Sequence, residues 1–377
     1  MKKKILFVIN DIDFFISHRL PLAIAARKKN FEVFICAPTE LKKIKFLKKF
    51  GIKIIPIKLS RSNKNIFKDI VLFISLYKII KKLKPDILQL ITIKPLLYGG
   101  IISKILNIKL TIFSFSGLGH IYYSNSNFIK KVALLILKFS ISNNRKCVVF
   151  LQNRHNFNYL KKNKILKNNK ICFTKGSGVN LNIYKPSKKR FKKVTITLPS
   201  RMSSEKGIYE FVEASSKFYK YNKKVKFVLL GKFDPEGPSG ISLKKLRQYN
   251  NKKKYPNLEW IGYKKKIKDI INKSTIIVLP SHHEGVPKVL MEAAACGKPI
   301  VATNISGCRE VVKQNKNGIL IPLKNSSAIE KAIKKILSDN KKLKYMEKNS
   351  RKKALLEFDE KYVIKKYLDC YKKLFKS

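Results

Sequence analysis

Short apolar runs decide what this chain can fold into. Each spans four to seven residues, is bounded by turn residues, and is separated from the next by a segment of helical period, the pattern of parallel strands joined by crossover helices. One series predicts strands over residues 5–9, 33–37, 52–57, 87–91, 110–115, 147–151 and 171–174, with helices between them, notably 17–29 and 67–83. A second series restarts at 194–198 and continues through 225–230, 258–261, 275–279, 299–302 and 318–321. Between them, 182–193 is polar and basic with Pro186, and reads as a linker. The fold class is therefore α/β, with two doubly wound, Rossmann-like domains over 1–181 and 194–357 facing a central cleft, where such sheets bind ligands at their carboxyl ends. The tail, 358–377, carries Tyr362, Val363, Tyr367, Tyr371 and Leu374 at helical spacing and is expected to cross back and pack over the domains.

Composition narrows the partners. The 377 residues include 83 Lys plus Arg against 23 Asp plus Glu, a formal +60, yet 45% are hydrophobic, enough for packed cores. Only 10 of the 83 are Arg, and Ile and Asn are abundant beside Lys, as in A/T-biased coding. Codon bias is the main source expected for the excess, and weak attraction to anionic lipid is the functional alternative. Specific nucleic-acid binding does not fit, because the lysines are spread along the chain rather than gathered into one patch. Six cysteines without a CxxC pair fit a reduced, cytoplasmic compartment. The opening MKKKILFVIN reads as a strand rather than a signal peptide, and no stretch is long and apolar enough to span a membrane.

The richest segment, 274–303, reads strand, turn, helix, small-residue turn, strand. Gly285 permits close backbone approach and Pro287 suits a first helical position, leaving the N–H groups of Val286, Lys288 and Val289 as an anion site. Glu284 in the turn and Glu292 along the helix suit hydroxyl groups on either side of a diphosphate, as in a nucleotide sugar. Taken alone, they also suit a helix N-terminal charge and a solvated helix face. In TLPSRMSSEKG, Arg201 follows a strand and Lys206 and Gly207 open the next helix. In a chain this biased toward Lys, an Arg is informative, since a guanidinium grips phosphate oxygens bidentately. A helix-capping SSEK with an incidental Arg is the plainer reading.

EGVPKVLMEAAACGKPIVAT, RMSSEKG, GVNLNIYKP (178–186), NDIDFFISHRLPLAIAA and SGLGH, in this order-preserving arrangement over nearly the whole chain, resemble glycosyltransferase family 4. The resemblance implies a GT-B fold and transfer of a sugar from a nucleotide donor with retention of anomeric configuration and no metal or other cofactor. It implies that Glu284 contacts the donor sugar, that Glu292 holds the ribose, and that Arg201 and Lys206 bind the diphosphate. It further implies a bacterial enzyme of O-antigen, capsule or lipid-linked glycan synthesis, using a UDP-sugar such as an N-acetylhexosamine and a polyprenyl-diphosphate-linked acceptor. The mechanism expected is front-face displacement, with the departing diphosphate taking the acceptor's proton, since paired glycosidase-type carboxylates are not evident. The competing readings are another GT-B enzyme, such as a UDP-sugar epimerase, and an anionic-membrane or nucleic-acid binder.

Asp11-Ile12-Asp13 matches the metal-binding DxD motif formally, but lies in the first strand-to-helix turn; the acids line the acceptor side or cap the helix. His18 and Arg19 follow, suited to an acceptor phosphate or to a structural role. Many family members carry a donor-contacting His after the fifth strand; here Ser116 stands there, with Gly117 and then His120 behind it, either a contact or a loop histidine. His282 and His283 lack a third ligand at metal-binding spacing. Segments 65–84 and 128–139 mix apolar faces with lysines, as interfacial helices or as crossover helices covering a sheet. The enzyme is expected in the cytoplasm, peripherally on the anionic inner face of the cell membrane.

Overall fold

Among the described residues, thirteen strands pair into two wholly parallel sheets, each built from the apolar runs that the sequence sets apart. The structure, a computed structural model, describes residues 2–58, 66–117, 126–142, 144, 146–189, 191, 193–235 and 239–372. In the first sheet, β1 (Lys4–Val8), β2 (Glu32–Ala37), β3 (Lys53–Pro56), β4 (Ile87–Ile91), β5 (Leu110–Ser114), β6 (Cys147–Leu151) and β7 (Lys170–Phe173) lie in the order β3-β2-β1-β4-β5-β6-β7. In the second, β8 (Thr195–Pro199), β9 (Lys226–Leu230), β10 (Leu258–Trp260), β11 (Ile276–Leu279), β12 (Ile300–Thr303) and β13 (Gly318–Ile321) lie in the order β10-β9-β8-β11-β12-β13. Both faces of each sheet are covered, so strands such as β4 and β5 are buried at every residue and read as unbroken apolar runs rather than alternations.

The chain divides into two compact units, residues 1–177 with 361–377, and 178–360. The second unit thus starts earlier than Val194. The stretch expected as a linker is tied into it: the Ser187 amide donates to Asn272 Oδ1 at 3.0 Å, and the Arg351 guanidinium donates to the Tyr184 carbonyl at 3.0 Å. Phe358 also belongs there, fully buried, with its carbonyl accepting from the Val179 amide at 2.7 Å.

The terminal helix is Glu360–Lys372 among the described residues, starting two residues after the tail outlined from sequence, and it packs into the first unit. Val363, Tyr367, Cys370 and Tyr371 are buried against the sheet, whereas Tyr362 points to solvent and Leu374 lies outside the described residues. Tyr367 stacks on Phe150 at 3.8 Å between centroids and shares a 3.1 Å hydrogen bond with Ser114, while the Tyr371 hydroxyl donates to Gln89. Buried hydroxyls placed in this way keep their hydrogen bonds while their rings fill the core.

The expected helix 17–29 is two helices, Ile12–His18 and Leu20–Lys28. Arg19, at φ −129°, breaks the run. Pro21 in the first turn of the second helix has no N–H to give to a preceding turn, so the first helix ends before it and a new one begins.

Candidate functional site

In the second unit the chain runs outward from β8 to β10, then returns to β11 on the other side of β8 and continues to β13. The β8/β11 boundary is therefore the topological switch point, where loops from the carboxyl ends diverge and leave room for a ligand. Arg201, Lys206, Glu284 and Gly285 all stand on the two loops that leave this boundary. Lys206 Nζ and Glu284 Oε1 meet across it at 2.8 Å, both side chains largely shielded from water. Glu284 is thus more than a charge near a helix N-terminus.

Two close backbone approaches hold the loops in place. Gly207, at φ +72°, ends the short turn Ser204–Lys206, and a Cβ there would sit 2.3 Å from the Pro280 carbonyl oxygen. Ser203 makes no side-chain cap of that turn, so the capping role considered for SSEK is not what the structure uses. Gly307, in the helix Ser306–Val311 after β12, lies under the Glu284–Gly285 turn, where a Cβ would be 1.9 Å from the Gly285 carbonyl oxygen.

Pro287 is the N-cap of the helix Lys288–Ala295 rather than its first helical residue. Its carbonyl accepts from the Leu290 amide at 3.1 Å and from Met291 at 3.3 Å, so the helical turn begins one residue later than the sequence reading put it. Val286 is buried in the apolar cluster beneath the sheet's face, and Val289 packs against that cluster. Their side chains anchor the turn.

Glu292 is buried, which excludes the solvated-face reading, and the Tyr184 hydroxyl donates a hydrogen bond to it. Burial pushes its carboxyl above the ordinary 4.5, against the opposing pull of Lys288 and Tyr184. A carboxyl raised on folding favours the protonated native state, so its contribution is complete below pH 4.5 and is lost as pH rises through the folded value. Glu292→Gln removes that titration. The melting temperature of wild type relative to the variant is expected to fall as pH rises above 4.5, and a flat difference would contradict a desolvated carboxyl.

Two partners escaped the sequence reading. Arg201 Nη1 donates to the buried Asp234 Oδ2 at 2.5 Å, and Glu205 Oε1 lies 3.8 Å from Nη2. His282 Nε2 is 2.9 Å from Glu210 Oε1, on the helix that follows Gly207. Asp234 follows β9, the strand beside β8, so its proximity to Arg201 depends on strand order, which spacing along the chain does not reveal. Burial, reinforced by His282, holds the neighbouring His283 imidazole below its ordinary value. Among the described residues, no three His, Cys, Asp or Glu side chains converge as a metal site would need.

The acceptor-side candidates all belong to the first unit. Asp11 caps the helix Ile12–His18, its carboxylate accepting from the Asp13 and Phe14 amides at 2.8 and 3.1 Å, while Asp13 pairs with Lys43. His18 is the last residue of that helix, stacked on Phe14 at 4.0 Å, and Arg19 is buried over the Tyr367 ring. They end one helix and precede the next; they do not open the first. Ser116 and Gly117 follow β5 and are half-buried, and His120 lies outside the described residues.

The family model "Glycosyl transferase 4-like" matches residues 4–153, and "Glycosyl transferases group 1" matches 181–353. The chain belongs to the family 4 glycosyltransferases. It is 29% identical over 375 residues to the N,N'-diacetylbacillosaminyl-diphospho-undecaprenol alpha-1,3-N-acetylgalactosaminyltransferase of Campylobacter jejuni, covering 95% of this chain and 96% of that one. It is 27% identical over 333 residues to the UDP-Gal:alpha-D-GlcNAc-diphosphoundecaprenol alpha-1,3-galactosyltransferase of Escherichia coli, covering 82% and 81%. Among solved structures, Anabaena HepE in complex with UDP and glucose superposes with a TM-score of 0.77 at 17% identity, covering 98% of this chain and 99% of that one. The glycosyltransferase thus has the GT-B fold, with one parallel-sheet unit under each family model. Membership sets aside the epimerase and the dedicated anionic-surface binder as readings of this enzyme.

Proposed function

We propose that this glycosyltransferase moves a sugar, an N-acetylhexosamine or close relative, from a UDP-sugar to a polyprenyl-diphosphate-linked glycan, with retention and without a metal cofactor. The observation that carries the proposal is the pairing of Lys206 with Glu284 across the switch point, beside Arg201 on the same loop. Each cation rests against a carboxylate until a diphosphate enters and takes it over. The Campylobacter and Escherichia relatives, whose names specify diphospho-undecaprenol acceptors, support the acceptor class, and the UDP bound by the structural neighbour supports the nucleotide.

In this reading Glu292 accepts from the ribose hydroxyls and Glu284 from the donor sugar. The acceptor hydroxyl attacks the anomeric carbon from the face that the nucleotide is leaving. The bond between that carbon and the β-phosphate oxygen breaks, and the leaving oxygen takes the hydroxyl's proton, so a glycosidic bond and UDP are the products. Arg201, Lys206 and the backbone at the head of the helix Lys288–Ala295 hold the charge that grows on the departing oxygen, and a well-placed donor of this kind contributes about 3 to 4 kcal/mol. Ser116, Gly117 and His120, with Asp11 and His18, serve the acceptor side, while the buried Arg19 takes the structural role beneath them. The enzyme works from the cytoplasmic side, peripherally at the inner leaflet; among its described residues no helix is long and apolar enough to cross a membrane.

The test is transfer from a panel of UDP- and GDP-sugars to a synthetic polyprenyl-diphosphate saccharide, with the product's anomeric configuration read by proton NMR. An α-linked product from one or more α-configured UDP-sugars, unaffected by EDTA, is expected. A β-linked product, a requirement for GDP-sugars or abolition by EDTA would contradict the corresponding part of the proposal.

A further inference from the structure

Two crossover helices of the first unit have a second apolar face that the core does not use. In Asn127–Ile141, Ala133, Leu137 and Ile141 lie in the core. Phe128, Val132, Leu135 and Phe139, at steps of four, three and four residues, form the opposite stripe, with Phe128 76% and Leu135 64% exposed. In Ile66–Leu83, Leu72, Leu76 and Ile80 face the core, and Ile70, Val71 and Ile74 face outward, continued along the same side by the exposed Lys78 and Lys81. Both helices pack against Ile93–Ile105 on one face of the sheet, so their outward stripes belong to one surface of this unit.

We propose that this surface is the enzyme's docking face for an anionic lipid bilayer, an inference that rests on the peripheral-membrane reading above and assigns it to particular side chains. Charge selects the occupant. Asn127–Ile141 contains no Asp or Glu, and the single acid of Ile66–Leu83, Asp69, is paired with Lys94 at 2.6 Å. Lys131 and Lys138 flank the Phe128 stripe. Among the described residues of these two helices, an apolar stripe bordered by lysines matches the boundary between acyl chains and anionic headgroups, where the rings enter the lipid and the lysines reach back to phosphate. A second copy of this chain fits poorly, because two lysine-bordered faces of a +60 protein repel each other. Each helix lies along the bilayer surface, its other side being committed to the core.

The test is co-sedimentation of the full-length protein with phosphatidylcholine vesicles, with and without about 30% phosphatidylglycerol, for wild type and for the triple variant Phe128→Ser/Val132→Ser/Leu135→Ser. The wild type is expected to bind the anionic vesicles, more weakly as salt is raised, and the neutral ones little; the variant's partitioning is expected to drop about tenfold or more. UDP-sugar hydrolysis in detergent-free buffer should be the same for both, which shows that the variant is folded. Equal binding of variant and wild type would overturn the assignment of this face. Absence of binding by wild type would overturn the face and the membrane reading together, while intact hydrolysis would leave the transferase reading standing. A wild-type dimer that becomes monomeric in the variant, without vesicle binding, would make the face an interface between copies and overturn the proposal.

Discussion

Replacing Lys206 by Ala is expected to lower kcat about 10²- to 10³-fold, the equivalent of about 3 to 4 kcal/mol of lost transition-state stabilisation. The fold should lose less. The Lys206–Glu284 bond stands in a part-buried site, so its removal leaves Glu284 partly desolvated at a cost of about 1 to 3 kcal/mol. Steady-state kinetics and urea unfolding on the same preparation separate the two losses. Glu284→Ala in the Lys206→Ala background should recover stability without recovering turnover, because it relieves the stranded carboxylate but restores no cation. A double variant that regained turnover would mean that Lys206 merely neutralises Glu284. Arg201→Lys should also slow the reaction, since an ammonium cannot hold Asp234 and a phosphate oxygen in one planar fork.

Gly307→Val is expected to be among the most damaging single changes outside the sheets. The new Cβ would lie 1.9 Å from the Gly285 carbonyl oxygen and 2.5 Å from that of Glu284, and both are backbone atoms that cannot swing aside as a side-chain end could. Either the helix Ser306–Val311 or the turn must move, at a cost of about 3 kcal/mol or more. Because that turn carries Glu284, donor KM should rise as stability falls. Gly262→Ala is the control. Nothing lies within 4 Å of a Cβ there, and only its φ of +66° opposes the change, so about 1 to 2 kcal/mol is expected with KM unchanged. Chemical denaturation and donor titration of both variants check the contrast.

Strands buried on both faces are legible as runs, which is why β4, β6 and β13 have the bounds the apolar pattern outlines and each of the others differs by one residue at one or both ends. The break at Arg19 was less legible, because 17–29 keeps helical periodicity through it and only Pro21 marks the new start. At the site, Arg201, Lys206 and Glu284 stand out from the sequence since a strand end, a glycine and a charged residue occur together at each loop. Asp234 and Glu210 do not, because each meets its partner through the neighbouring positions of β9, β8 and β11, a long-range property of the sheet. The outward stripe of Asn127–Ile141 shows the same limit from another side. An apolar residue at helical spacing satisfies a core or a lipid surface equally well, and only the packed sheet decides that Leu137 faces inward and Leu135 outward.

The measurement that bears most directly on the account is a crystal structure of the enzyme with UDP. A β-phosphate within hydrogen-bonding reach, about 3 Å, of both Arg201 and Lys206, with the ribose hydroxyls on Glu292, is the predicted result. Uridine bound away from the β8/β11 boundary, or bound there with Arg201 still held by Asp234 and Lys206 by Glu284 and neither cation touching phosphate, would contradict it.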